Sequence, residues 1–241
     1  MRQTRSFAFL FALSTVGLLG SGCESNATMA GDALCPGPGC PCTGARCDCR
    51  SESCNLDCAD VETPTQVCAL ECEAGSDCTA TCGTECDIEC EAGTVCDVSG
   101  ASESDVRCVG ATCDHVATTS ADLSCSRGAQ CTLTATSGAD ADCESGSLCE
   151  FVLGDDAEVD CDSQSQCTVT AGLDAEVECK RASCALTLGA GGRVLCGIEG
   201  DCEVVCEGAC NVIVDRTANA TLRCAGEAAA RSITGSARCE A

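Results

Sequence analysis

From Cys90 onward the chain returns to a cysteine at nearly constant steps. Cys90, Cys108, Cys125, Cys143, Cys161, Cys179 and Cys196 are separated by 18, 17, 18, 18, 18 and 17 residues. Each is followed by a second cysteine: Cys96, Cys113, Cys131, Cys149, Cys167, Cys184 and Cys202. The spacing is C-x5-C, except for C-x4-C at Cys108/Cys113 and Cys179/Cys184, where the period drops to 17. Both one-residue deletions therefore fall in the same segment of the repeat, a corner that tolerates changes of length. A short fixed period of this kind describes stacked units, none of which buries its apolar side alone.

The residues flanking that corner alternate. After it come Cys149-x-Phe151-x-Leu153 and Cys167-x-Val169-x-Ala171; before it come Ala157-x-Val159-x-Cys161 and Ala175-x-Val177-x-Cys179. Period-two alternation over five residues is a strand with one buried face. Three residues join the end of one such strand to the start of the next, as in Gly172-Leu173-Asp174. One coil is thus two five-residue strands, a short corner and a longer one. The first strand of the unit recurs at Cys54, Cys78, Cys96 and so on to Ala220, with one insertion at 59–67. The fold class expected is all-β: a flattened parallel β-solenoid of about ten 17–18-residue coils, two strands per coil. Ten coils at strand spacing make a rod of roughly 45–50 Å.

Such a core is thin, and the chain has little with which to thicken it. It contains 31 cysteines and 4 Phe but no Trp or Tyr. The two cysteines of C-x5-C face inward from consecutive strands, so a disulfide between them crosses the interior of one coil. The bridges expected are Cys90/Cys96, Cys108/Cys113, Cys125/Cys131, Cys143/Cys149, Cys161/Cys167, Cys179/Cys184 and Cys196/Cys202, with Cys49/Cys54 and Cys72/Cys78 by the same rule. Cys58/Cys68, Cys82/Cys86 and Cys206/Cys210 span the opposite corner, and Cys224/Cys239 ties down the last coil. Cys35, Cys40, Cys42 and Cys47 make two further bridges in an N-terminal cap, which leaves Cys23 as the odd cysteine. A thiol metal sink is the rival use of so many cysteines. Export oxidises thiols, and inward-facing repeat cysteines leave no room for a tetrahedral site.

Met1–Arg5 carries two arginines and no acid, residues 6–20 are an apolar run, and Gly20-Ser21-Gly22-Cys23 follows. This is a secretory signal. Its last four residues resemble a bacterial lipobox, with Gly20 where that family has leucine. The resemblance implies that Cys23 is lipidated and becomes the mature N-terminus. The organisation expected is a signal peptide over 1–22, a lipidated tether over 23–34, a Cys-rich cap over 35–53 and the solenoid with its C-terminal cap over 54–241. The intracoil C-x5-C repeat is similar in spacing and architecture to the beetle hyperactive antifreeze β-helices, whose coils are shorter. The flat threonine ladders of that family are interrupted here by Asp and Glu, so ice binding is not expected.

Acids outnumber bases 38 to 13, giving a net charge of −25. That excludes nucleic acid held through its phosphates. Outward positions of one strand set form two carboxylate columns, Asp140/Glu158/Glu176 and Asp142/Asp160/Glu178. They suit a hard cation such as Ca2+, the only cofactor candidate, or they are a solvated face that keeps a rod soluble. Catalytic residues are not expected. There is one histidine, His115, which parity turns inward, and one lysine. No G-x-S-x-G, H-E-x-x-H or P-loop occurs. The reading is a non-enzymatic lipoprotein of the bacterial cell envelope or surface, membrane-anchored, serving as a rigid structural or binding element toward an unidentified envelope or extracellular partner. The alternatives are a Ca2+-binding or adhesion module and, more remotely, a polysaccharide-acting β-helix enzyme.

Overall fold

A computed structural model describes residues 42–43, 46–50, 53–58, 68–83, 85–100 and 102–240. These residues are all-β and contain no helix. Alternate strands go to two opposed sheets, one of twelve strands and one of eleven. The parallel part of the first sheet runs from Arg46–Cys49 to Cys210–Val214, and that of the second from Ser53–Cys58 to Asn219–Cys224. Ten strand pairs stack in nine coil-to-coil steps, each pairing parallel and in register, as in Cys143↔Cys161↔Cys179↔Cys196. This is a flattened β-solenoid.

The strands form where the sequence alternates because every second side chain must leave water. Gln166–Ala171 and Glu85–Cys90 both read exposed–buried throughout. The interior is the single layer that results. Leu133, Phe151, Val169, Leu186 and Val204 stack from coil to coil on one sheet, all essentially fully buried. Leu123, Ala141, Val159, Val177 and Val194 do so on the other. Phe151 is the only aromatic side chain in the described core. Its coil carries Ala141 where the coils on either side carry Leu123 and Val159. Large opposite small keeps the volume of the layer constant, as close packing demands.

Among the described residues thirteen disulfides close the coils. Nine cross the longer corner: Cys49–Cys54, Cys72–Cys78, Cys90–Cys96, Cys108–Cys113, Cys125–Cys131, Cys143–Cys149, Cys161–Cys167, Cys179–Cys184 and Cys196–Cys202. Cys58–Cys68, Cys82–Cys86 and Cys206–Cys210 cross the shorter one, and Cys224–Cys239 locks the C-terminal end. Their Cα–Cα separations run from 5.6 to 6.6 Å, within the span a disulfide bridges without moving the backbone. Cys47 is also disulfide-bonded. Cys23, the signal segment, the tether and the pairing within the cap lie outside the described residues.

The longer corner is a tight turn closed by backbone hydrogen bonds such as Ala129 N to Ser126 O and Ser165 N to Asp162 O. Three of the C-x5-C corners take two left-handed residues, Arg127 with Gly128, Ser145 with Gly146 and Ser163 with Gln164, and three take one, Gly75, Gly93 or Glu199. The C-x4-C corners at Cys108/Cys113 and Cys179/Cys184 take one, Gly110 or Arg181. Both cysteines keep their places in the ladders across the deletion, so the missing residue comes out of the turn.

Three features depart from the sequence reading. Arg46–Cys49, assigned there to the cap, already pairs in parallel with Cys68–Cys72, because its Cys-x-Cys alternation matches the core face. The short corner is partly absorbed into strand: Gln130–Ser137 and Leu148–Asp155 run straight into it. The repeat ends by reversal. Arg231–Ile233 and Gly235–Cys239 fold back antiparallel on Asn219–Cys224 and Cys210–Val214, one on each sheet. Both last parallel strands are thereby covered, a usual protection against edge association.

The short corner also carries glycines whose role lies in stacking. A Cβ on Gly189 would stand 2.5 Å from the carbonyl oxygen of Gly172 in the neighbouring coil. A methyl there must push two coils apart. Gly189→Ala is expected to destabilise the rod by about 1–3 kcal/mol, read as a fall in the denaturant midpoint. An unchanged midpoint would mean that the short corner yields freely.

Candidate functional site

In-register stacking decides what the solvent face of the first sheet presents. Asp122, Asp140, Glu158 and Glu176 pair successively across four coils, and Asp142, Asp160 and Glu178 across three. All six carboxylates singled out by sequence are therefore brought together in two columns, three coils high. Neighbours within a column sit one strand spacing apart, about 4.8 Å, where like charges repel.

The consequence is an altered acidity at the centre. The Asp142 carboxyl is pushed up to about 6, first by partial burial and then by Asp140, Asp160, Glu144 and Asp122. Asp122 is raised by partial burial, with Asp140 and Asp105 adding to it. Asp160 is raised by burial and by Glu178, against the opposing pull of Lys180. Arg107 stands at one end of the second column, next to Ser124, and further cations arrive at the other end of both. Lys180 Nζ lies 2.5 Å from Glu178 Oε2, and Arg193 Nη1 lies 3.1 Å from Glu176 Oε2. Arg181 holds Asp162 beside them and lowers its pKa. The face can take up protons near pH 6 and attract cations.

The second sheet faces water with a more neutral surface. A shallow depression of about 490 Å³ is lined by Thr112, Gln130, Leu148 and Gln166 together with the column Asp114, Thr132, Glu150 and Thr168. Thr132 Oγ1 donates to Asp114 Oδ1 at 2.6 Å. The interrupted threonine rows are held by contacts between coils.

His115 points into the core and is fully buried, in the same column as Val98 and Leu133. Sequence parity placed it there. Sequence reasoning missed its partner, Ser104, whose Oγ shares a 2.8 Å hydrogen bond with His115 Nε2. The signal was a serine in the column that carries Ala121 and Ala139 in the next coils. Nδ1 has no hydrogen-bond partner. A charged imidazole needs both nitrogens satisfied. Burial accordingly drives the pKa down to about 4, only partly offset by Asp114. The ring is a neutral packing element, shut off from any substrate.

Sulfur gathers in three tight groups: Cys72/Cys90/Cys96, Cys161/Cys167/Cys184 and Cys206/Cys210/Cys239. Every cysteine in them is disulfide-bonded. Metal binding by cysteine requires the thiolate, so these groups are stacked bridges. Comparison of the chain with family models, with curated proteins and with solved structures finds no match.

Two opposed pH effects follow. Asp142 has a folded-state pKa raised above its unfolded value of 3.8, to about 6. Its stabilising contribution is present below the unfolded value and is lost as pH rises through the folded one. Asp142→Asn should therefore stabilise the protein at pH 7.5 by about 1 kcal/mol, solvent screening keeping the gain small. The gap should close progressively as pH falls from about 6 toward 3.8. An equal gap at pH 7.5 and 4.5 would remove the electrostatic account. His115 works in the other direction, its pKa lowered from 6.5 to about 4. Its contribution is present above the unfolded value and is lost as pH falls through the folded one. Thermal melts from pH 7 to 4 should show an acid-side loss that His115→Leu lacks. A loss of equal size in that variant would assign it to other groups.

Proposed function

We propose that the chain is an exported, non-enzymatic rod, held at a bacterial envelope by a lipid on Cys23 and acting as a rigid spacer or binding element there. The observation that supports this best is the state of its sulfur: among the described residues no cysteine is free. Disulfides at this density persist only in oxidising compartments. A stack of covalently closed coils also resists bending and local opening, properties suited to a spacer. Short-loop bridges of this kind contribute about 2–3 kcal/mol each, which a single-layer core of small side chains needs.

The non-enzymatic reading rests on chemistry. The one histidine is sealed in the core with Ser104. The carboxylates that gather at the surface have one another as their main neighbours along each column. The acidic columns fit a solvated face that keeps neighbouring rods apart.

The lipid claim is tested by the mass of the mature protein, native and after reduction, together with detergent-phase partitioning. Wild type should enter the detergent phase carrying an acyl mass on Cys23, and Cys23→Ser should remain in the aqueous phase. Wild type in the aqueous phase would remove the anchor. The solvated-face reading is tested separately. CaCl2 and NaCl at matched ionic strength should raise the melting temperature equally, by screening alone. A rise specific to calcium that Asp142→Asn with Asp160→Asn abolishes would make the columns a cation site instead.

A further inference from the structure

The first sheet changes character at its C-terminal end. The column Glu158, Glu176 continues as Arg193, Asn211 and Arg238. The column Asp160, Glu178 continues as Leu195, Ile213 and Ser236. Leu195 and Ile213 are adjacent, 36% and 42% exposed, and Ile198 beside them on the corner is 59% exposed. They floor a shallow depression of about 360 Å³, rimmed by Lys180 and Arg216 together with Glu178 and Asp215. On a chain of net charge −25, cations and exposed aliphatic side chains are gathered in one place.

We propose that this end of the sheet is a docking surface for a second copy of the chain, packed face to face and antiparallel. The order of residues supports it. Consider a two-fold axis parallel to the strands, passing between Arg193–Cys196 and Cys210–Val214. It places Leu195 opposite Ile213 of the second copy, and Ile213 opposite Leu195. One strand further out it places Glu176 opposite Arg238 of the second copy, and the same pair recurs by symmetry. The surface is thus complementary to itself in both apolar contact and charge, the requirement of an isologous interface. Arg193 meets Asn211, so no like charges face one another within the overlap. Only four strands of each copy overlap. Asp140, Asp142, Glu158 and Asp160 lie beyond the partner's last strand, and their repulsion is avoided.

The overlap is small. Four strands at about 4.8 Å with two outward residues each bury roughly 500 Å² in total, against about 1,200 Å² for a stable complex. The association is weak. Many copies on one surface multiply it. The antiparallel register sends the first coils of the two copies to opposite ends. If the N-terminus is anchored, a point that rests on the proposed role of Cys23, copies on facing surfaces can meet in this register.

The solution contact is tested without a membrane, so it stands or falls apart from the anchor. The full chain carrying Cys23→Ser is examined by sedimentation equilibrium up to millimolar concentration in 150 mM NaCl, roughly physiological ionic strength. A monomer–dimer equilibrium is expected. Glu176→Arg and Arg238→Glu should each weaken it about fivefold or more, and the double variant should restore it. Leu195→Asp should abolish it. A monomer throughout overturns the proposal, as does a dimer indifferent to Leu195→Asp. The same overturning result would be Leu195-dependent binding to vesicles of phosphatidylglycerol and phosphatidylcholine without self-association, which would assign the patch to a lipid surface.

Discussion

Everything in this molecule depends on one spacing. Parallel strands of successive coils are held about 4.8 Å apart by their backbone hydrogen bonds, and each coil must close within that height. The interior is therefore one side chain deep on each sheet, and the area it buries per coil is small. Covalent closure substitutes for a thicker core. Sulfur suits the task because a disulfide spans the two sheets at the corner while occupying little more room than two alanines. Where a bridge is missing from the shorter corner, Ala135/Ala139 and Ala171/Ala175 fill the same positions. At the longer corner the exception is the last coil, where Val214 and Ala220 stand in the places of the two cysteines.

The same spacing removes freedom from the surface. In a globular protein a carboxylate can be set beside a base by choosing its place on an element. Here each outward residue lies over the residue one period earlier, so charge is inherited along a column. Asp122, Asp140, Glu158 and Glu176 repel because stacking leaves them no other neighbour. Relief comes by withdrawing charge from the centre, as Asp142 does by holding its proton to about pH 6. At the end of the column it comes by breaking the pattern with Arg193 and Lys180. Inside the rod the same rule makes His115 an anomaly. The column on either side is Val98 and Leu133, and the imidazole is tolerated because the opposite sheet supplies Ser104.

This explains which parts were legible in the sequence. The period, the face of each strand and the tolerant corner all follow from residue identity along one coil, and each is read by counting. The six carboxylates fell into columns for the same reason. What depends on contact between coils was hidden. The glycines of the short corner look like ordinary turn residues, whereas Gly189 is required by the carbonyl of Gly172 in the neighbouring coil. Ser104 interrupts a column of alanines, and its reason is His115 across from it on the other sheet. The antiparallel ends were illegible because a cap must break the period that makes the rest readable. After Cys224 no full unit remains, only Cys239 to mark where the chain returns.

A repeat that fixes position so strictly confines function to departures from the repeat. Substitutions at outward positions leave the core untouched, so a face can be rewritten coil by coil while the scaffold stays constant. The acidic columns are continuous over the middle coils and stop abruptly at Arg193 and Leu195. If solubility were the only demand on this face, the simplest continuation would be further acid. The sequence instead spends its scarce cations and two aliphatic residues on adjacent coils, just before Gly235–Cys239 closes the sheet with Arg238 in the same column. The ladder that forced like charges together in the middle here sets unlike groups at fixed intervals, Glu176, Arg193 and Arg238. A periodic surface whose sign reverses along its axis matches a reversed copy of itself, because reversal brings each sign opposite the other. Self-recognition at the end of the rod is therefore a direct product of the spacing that builds it.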